Sequence, residues 1–113
     1  MNYIIGAGGV GSWLAEAMCR LVEPTEVTII DGDELEEKNL DRQLFDMSEI
    51  GQNKAVALAK RLGCEANAEW YSPYSVAHTR HDWVFCCVDN NPSRIDCLKA
   101  ADMHDLKVII AAN

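Results

Sequence analysis

Apolar and polar positions fall in alternating blocks along the chain. Residues 2–6 are a short, almost wholly apolar run that ends in glycine, as a buried strand does. Residues 10–22 place Val10, Leu14, Ala17, Met18 and Leu21 at helical spacing, and Glu23-Pro24-Thr25 breaks the pattern. A β-branched run, Val27-Thr28-Ile29-Ile30, predicts a second strand ending at Asp31. Residues 32–47 are polar, acidic and without period, and read as a long loop. A helix follows from about Lys54 to Leu62, with Ala55, Leu58, Ala59 and Leu62 on its apolar face and Gly63 as its stop. Residues 66–71 predict a third strand, with Trp70, Tyr71 and Tyr74 as packing residues. Residues 75–81 are too mixed to assign, and His78 and His81 read as surface histidines. Residues 82–88 are nearly all apolar, a fourth strand buried on both faces. Asn91 as cap and Pro92 at the first helical position start a helix that runs to about His104, and residues 106–111 predict a fifth strand.

Strand, helix and strand in succession imply right-handed crossovers and parallel pairing. The expected fold is α/β and Rossmann-like: three layers, with a mainly parallel sheet of about five strands in the order 3-2-1-4-5 and helices on both faces. A length of 113 residues suits one domain with one core. The formal net charge of −8 argues against nucleic acid or an anionic membrane as the main partner. No apolar run approaches the roughly 18 residues that a membrane span needs. The five cysteines show no C-x-x-C spacing and follow no secretory signal. They imply free thiols in a reducing cytoplasm, with adjacent Cys86 and Cys87 as small core residues on opposite sides of the sheet.

The chemistry concentrates after the first strand. Gly6, Gly8 and Gly11 write G-x-G-x-x-G across a strand-to-helix turn. Gly6 allows the tight turn, Gly8 lets a phosphate approach the backbone, and Gly11 lets the helix sit close to the strand. Asp31 follows about 20 residues after Gly11, at the end of the second strand, where a carboxylate can accept hydrogen bonds from ribose hydroxyls. The loop at 32–47 is longer than a dinucleotide-binding unit needs, and long loops in compact domains are more often functional than idle. Its acidic residues read as a solvated face, but the guanidinium of Arg42 suits bidentate phosphate contact. Lys54, in the first turn of its helix, is open to two readings: a surface lysine or a phosphate ligand. Asp89 falls at the carboxyl end of the fourth strand, in the crevice where open α/β sheets bind ligands, and an acid near phosphates there suits magnesium.

Together, Gly6-Ala7-Gly8-Gly9-Val10-Gly11, Asp31-Gly32-Asp33, Asn39-Leu40-Asp41-Arg42-Gln43, Gly51-Gln52-Asn53-Lys54 and Val88-Asp89-Asn90 resemble the ThiF/MoeB/HesA adenylyltransferases, whose adenylation domain ubiquitin-activating enzymes share. The resemblance covers essentially the whole chain and the first half of the family's domain, so residues 1–113 are expected to be a nucleotide-binding half-domain. It implies binding of Mg-ATP, attack on the α-phosphate by the C-terminal carboxylate of a ubiquitin-like or sulfur-carrier protein, and release of pyrophosphate from an acyl-adenylate. It implies a nucleotide-binding set of Gly6, Gly8, Gly9, Gly11, Asp31, Asp33, Asn39, Arg42, Gln43 and Lys54. Within this, Asp31 holds ribose, Asn39, Arg42 and Lys54 hold phosphates, and Gln43 supports them. Arg42, Lys54 and Asp89 form the catalytic set, with Asp89 as the magnesium ligand. It also implies a homodimer or heterodimer. Two alternatives stand beside it. A non-catalytic ATP-binding partner subunit or scaffold is one. An NAD-dependent oxidoreductase is the other, which would use the glycine turn and Asp31 but leave residues 32–54 without a role.

Overall fold

The computed structural model of the protein describes residues 1–111. Its five strands are β1 (Asn2–Ile5), β2 (Val27–Ile30), β3 (Glu65–Asn67), β4 (Trp83–Cys86) and β5 (Lys107–Ile110). They form one sheet in the order β3-β2-β1-β4-β5, with every pair parallel, as expected from the sequence. Helices α1 (Gly11–Leu21) and α2 (Lys54–Leu62) cover one face, and α3 (Asn91–His104) covers the other.

The side-chain alternation of the central strands feeds two separate cores. Ile4, Val27 and Ile29 pack against Ala15 of α1 and Ala55, Leu58 and Ala59 of α2. Ile5, Ile30, Val84 and Cys86 pack against Cys97 and Ala100 of α3. Cys86 and Cys87 fall on opposite sides, as their adjacency requires. All five cysteines are free thiols. Burial pushes the Cys87 thiol up to about 11 and that of Cys64 up to about 12, so neither supplies a thiolate at neutral pH. Among the described residues no helix is long and apolar enough to cross a membrane.

Several sequence expectations shift in the fold. The inward face of α1 is Gly11, Ser12 and Ala15, flanked by Leu14, Met18, Cys19 and Val22, while Ala17 and Leu21 face outward. Gly11 is where the helix meets the strand turn most closely: a Cβ built there would lie 1.7 Å from the carbonyl oxygen of Gly6, so this side of the helix must face inward. The third strand is only Glu65–Asn67, because its one neighbour, β2, ends at Ile30 and the ladder closes with the Asp31 amide on the Asn67 carbonyl. Trp70 and Tyr74 are therefore exposed rather than packing residues, and only Tyr71 enters the core. The fourth strand is shorter than 82–88, and Trp83 lies exposed on it. Asn90, not Asn91, caps α3, its side-chain oxygen accepting the Ser93 amide at 2.9 Å. His78 is not a surface residue: its side chain is fully buried, whereas His81 is exposed.

Candidate nucleotide-binding site

The carboxyl ends of β1, β2 and β4 open into a cleft of about 510 Å³, between the two halves of the sheet where the strand order reverses. Its floor is the glycine turn. Gly6 takes φ +96°, and a Cβ there would meet the Cys87 carbonyl oxygen at 2.9 Å, so backbone conformation and space both demand glycine. Gly8 and Gly9 line the cleft and face open space, with nothing closer than 3.8 Å to a Cβ at either. The first turn of α1 follows, so its unpaired amides and positive dipole end point at the cleft.

Asp31 is nine-tenths buried beside this turn. Its carboxylate accepts the Ala7 amide at 2.7 Å and the Asp33 amide at 2.8 Å, which ties the end of β2 to the turn. Burial pushes its carboxyl above the usual range, against the pull of those two amides and of the Lys54 ammonium. Each oxygen keeps a lone pair for a further donor.

Lys54 is the residue whose two sequence readings the fold separates. Its side chain is 7% exposed, and Nζ stands 3.3 Å from Asp33 Oδ2 inside the cleft. Local structure puts it there. Asn53 caps α2 by accepting the Val56 amide at 3.0 Å, and its own amide donates to the carbonyls of Asp31 and Asp33. The Lys54 amide donates to the Asp33 carbonyl at 2.9 Å. The start of α2 is thus stapled to the end of β2. An ammonium has three protons, so Lys54 can hold Asp33 and an incoming oxyanion together.

The loop between β2 and α2 is ordered by hydrogen bonds rather than by a core. It contains two short 3₁₀ turns, Glu37–Asn39 and Met47–Glu49, each closed by a capping box. Helix α1 pins its distal part: Ser12 Oγ accepts the Leu44 amide at 3.0 Å, and Trp13 Nε1 donates to the Arg42 carbonyl at 3.0 Å. Arg42 and Gln43 are thereby held over the glycine turn and line the cleft. The Arg42 guanidinium is 75% exposed, and among the described residues its one ion-pair partner is its neighbour Asp41, 3.9 Å from Nε, so it can turn toward a ligand. The Gln43 carboxamide oxygen is buried without a partner among the described residues. The carboxamide nitrogen is the end that faces the glycine turn, 3.8 Å from where a Cβ on Gly8 would stand.

Gly6, Gly8, Gly9, Asp31, Asp33, Arg42, Gln43, Lys54 and Asp89 thus share one cleft. Gly11 and Asn39 do not line it. Gly11 is the contact that sets α1 on β1, and Asn39 is buried in its turn, where its oxygen accepts the Glu36 amide and its carbonyl accepts the amides of Arg42 and Gln43. Trp70, Tyr71, Asn90 and Ser93 also line the cleft, and none of them belongs to the nucleotide-binding set that the resemblance implies.

Behind the Tyr71 wall sits a buried polar chain. The Tyr71 hydroxyl lies 2.7 Å from His78 Nε2, and His78 Nδ1 lies 3.4 Å from Asp82, whose carboxylate also accepts the Thr79 amide and hydroxyl. A proton on Nδ1 satisfies every pair, with Tyr71 donating to Nε2. Burial pushes the His78 imidazole below its ordinary 6.5, against the pull of Asp82 and together with His104. Burial works to raise Asp82, but the Thr79 amide and hydroxyl and His78 hold it below the carboxylate range. A depressed imidazole stabilises the fold above the ordinary value and loses that contribution as pH falls below it, because the unfolded state takes the proton first. Urea midpoints should therefore drop from about pH 7 to about pH 5.5. His78→Gln should flatten that drop, and an equal drop in the variant would contradict the assignment.

A family model described as the ThiF family matches residues 2–113. The chain belongs to the ThiF family. Among curated members, it is 31% identical to the tRNA threonylcarbamoyladenosine dehydratase of Haemophilus influenzae, over 94% of this chain and 44% of that one. It is 42% identical over 59 residues to the ATP-dependent ubiquitin transferase-like protein Cap2 of Enterobacter hormaechei, over 52% of this chain and 10% of that one. The fold matches the crystal structure of E. coli tRNA N6-threonylcarbamoyladenosine dehydratase in complex with ATP. That match has a TM-score of 0.78 and 23% identity, over 96% of this chain and 49% of that one. The chain therefore spans less than half the length of these ThiF-family relatives.

Proposed function

We propose that this ThiF-family chain is the nucleotide-binding half of an adenylating domain, which binds Mg-ATP and activates a carboxylate as an acyl-adenylate. One observation carries the reading: Arg42, from a loop longer than a plain dinucleotide-binding unit needs, and Lys54, at the start of the helix that loop leads into, stand in the same cleft as the glycine turn and Asp31. An NAD-dependent oxidoreductase would use the turn and Asp31 alone. A solved ThiF-family structure that holds ATP supports the same choice.

In the reaction, a carboxylate oxygen bonds to the α-phosphorus while the bond from that phosphorus to the pyrophosphate oxygen breaks. Charge that develops on the phosphates meets Lys54, Arg42 and the amides at the start of α1. Catalysis here is positioning and electrostatics, and no side-chain nucleophile is required. Asp31 receives ribose hydroxyls, and Gln43 supports the phosphates. Asp89, exposed at the end of β4 on the cleft wall, is the carboxylate that would hold magnesium, an ion commonly bound by one or two carboxylates beside substrate phosphates. That ion supplies charge neutralisation on the phosphates when bound. Asp89→Ala should erase the gain that magnesium gives to ATP binding, about tenfold or 1.4 kcal/mol, while leaving magnesium-free binding intact. Titrations with and without magnesium read this directly, and an undiminished gain would remove Asp89 from the site.

The carboxylate is that of the C-terminal tail of a ubiquitin-like or sulfur-carrier protein, and the complete enzyme is a dimer acting in the cytoplasm. The Cap2 match supports a protein tail. The Haemophilus relative favours a second reading, in which the carboxylate is borne by a modified adenosine of tRNA. A basic surface for tRNA would then come from outside these 113 residues, whose net charge is −8. Exchange of labelled pyrophosphate into ATP separates the two. Exchange that depends on a carrier with a free C-terminal carboxylate, and not on the amidated carrier, supports the protein tail. Exchange that depends on tRNA selects the second reading. ATP binding without exchange for either describes a scaffold.

A further inference from the structure

Trp70 differs from the rest of the cleft wall. It is 69% exposed, it lies beyond the end of β3, and among the described residues neither a hydrogen bond nor a core cluster includes it. Its indole nevertheless has a defined seat. A Cβ built on Gly32 would meet the ring atoms Cγ, Cδ2 and Cε2 at 2.6–2.7 Å, so the ring rests directly on the glycine backbone. Gly32 immediately follows Asp31, and Trp70 lines the same cleft as Asp31, Lys54 and the glycine turn. The next residue, Tyr71, is buried and tied through His78 to Asp82, so the chain that carries the indole is anchored from behind.

A large aromatic side chain left in water forgoes the burial that ordinarily places it inside. Here one side of the ring is supported by backbone, while much of its surface remains open beside the acid suited to ribose. A purine attached to that ribose has a flat π-face of matching size, and offset stacking of two aromatic rings is favourable beyond the area buried. Phosphates at Lys54 and the glycine turn, with ribose at Asp31, direct the base toward this wall.

We propose that Trp70 is the platform on which the nucleotide base stacks, with Gly32 as its seat and the Tyr71–His78–Asp82 chain as its anchor. This rests on the ATP reading given above. It makes Trp70 a determinant of affinity for the base and leaves the phosphate contacts to Arg42 and Lys54.

The test is calorimetric titration of the wild type, Trp70→Phe and Trp70→Ala with Mg-ATP, adenosine and inorganic triphosphate. Trp70→Ala should weaken ATP and adenosine by about tenfold or more, the range found when a base loses an aromatic partner. Inorganic triphosphate should bind unchanged, and Trp70→Phe should keep most of the affinity. Adenosine should also quench tryptophan fluorescence in the wild type and not in Trp70→Ala. Equal weakening for all three ligands would reduce Trp70 to a structural part. Unchanged ATP affinity in Trp70→Ala, with the wild type binding normally, would overturn the platform and leave the ATP reading standing. Failure of the wild type to bind Mg-ATP would overturn both.

Discussion

Gly11→Ala should be among the most damaging single substitutions in this chain. The added methyl would lie 1.7 Å from the Gly6 carbonyl oxygen and 2.8 Å from its carbon, and both are backbone atoms that cannot rotate away. Either α1 lifts from β1 or the turn deforms. Lifting opens the contact of Ala15 with Ile4 and Ile29 and pulls Ser12 and Trp13 away from the loop that carries Arg42. Overpacking against immobile backbone belongs at the upper end of such costs, about 3 kcal/mol, and proteins of this size have only about 5–15 kcal/mol to lose. The melting temperature should fall by more than about 10 °C. Gly9→Ala is the control: nothing lies within 4 Å of its Cβ, and the melting temperature should hardly move. Thermal denaturation of the two variants compares them, and similar losses would contradict the packing role given to Gly11.

Lys54→Met should remove at least tenfold of the affinity for ATP while sparing adenosine. Methionine keeps most of the buried stem and deletes only the ammonium. A hydrogen bond to a charged group contributes about 1.5–3 kcal/mol, which is roughly ten- to a hundredfold in binding. The variant also leaves the half-exposed Asp33 carboxylate in the cleft without its cation, and that adds repulsion toward phosphate. The fold itself should tolerate the change, since Asn53 and the Lys54 backbone amide hold the start of α2. Parallel titrations with ATP and adenosine give the answer. Equal loss for both ligands would mean that Lys54 supports the cleft rather than the phosphates.

The parts of this molecule that could be read in advance are those governed by local rules. Apolar runs, helical spacing and the Asn-Pro start near residue 91 mark the strands and helices, and the strand–helix–strand succession of the first half implies parallel pairing. The spacing of Gly6, Gly8, Gly11 and Asp31 located the cleft, because one carboxylate must follow one glycine turn at that distance. What escaped depended on contacts distant in sequence. Lys54 is a surface or a buried residue according to whether the start of its helix docks on Asp31 and Asp33, and periodicity says nothing of that. His78 reads as a lone polar residue in an unassigned stretch. Its burial follows from meeting Tyr71 and Asp82, which lie in segments on either side. Trp70 was legible as apolar, and apolar residues are expected inside. Its exposure becomes intelligible only when β3 stops at Asn67 and Gly32 is seen beneath the ring. The inward stripe of α1 is rotated from the one that helical spacing predicts, keeping Leu14 and Met18 at its flank and turning Ala17 and Leu21 outward. A helix that must touch a strand at Gly11 buries its small residues first.

On the proposed function, the cleft serves a triphosphate on an adenosine rather than a dinucleotide. Calorimetric titration of the chain with Mg-ATP and, separately, with NAD tests it most directly. Saturable binding of Mg-ATP with none of NAD is the expected result. Binding of NAD alone would contradict it, leaving Lys54 with only its pairing to Asp33, Arg42 as a solvated side chain and the cleft to a dehydrogenase.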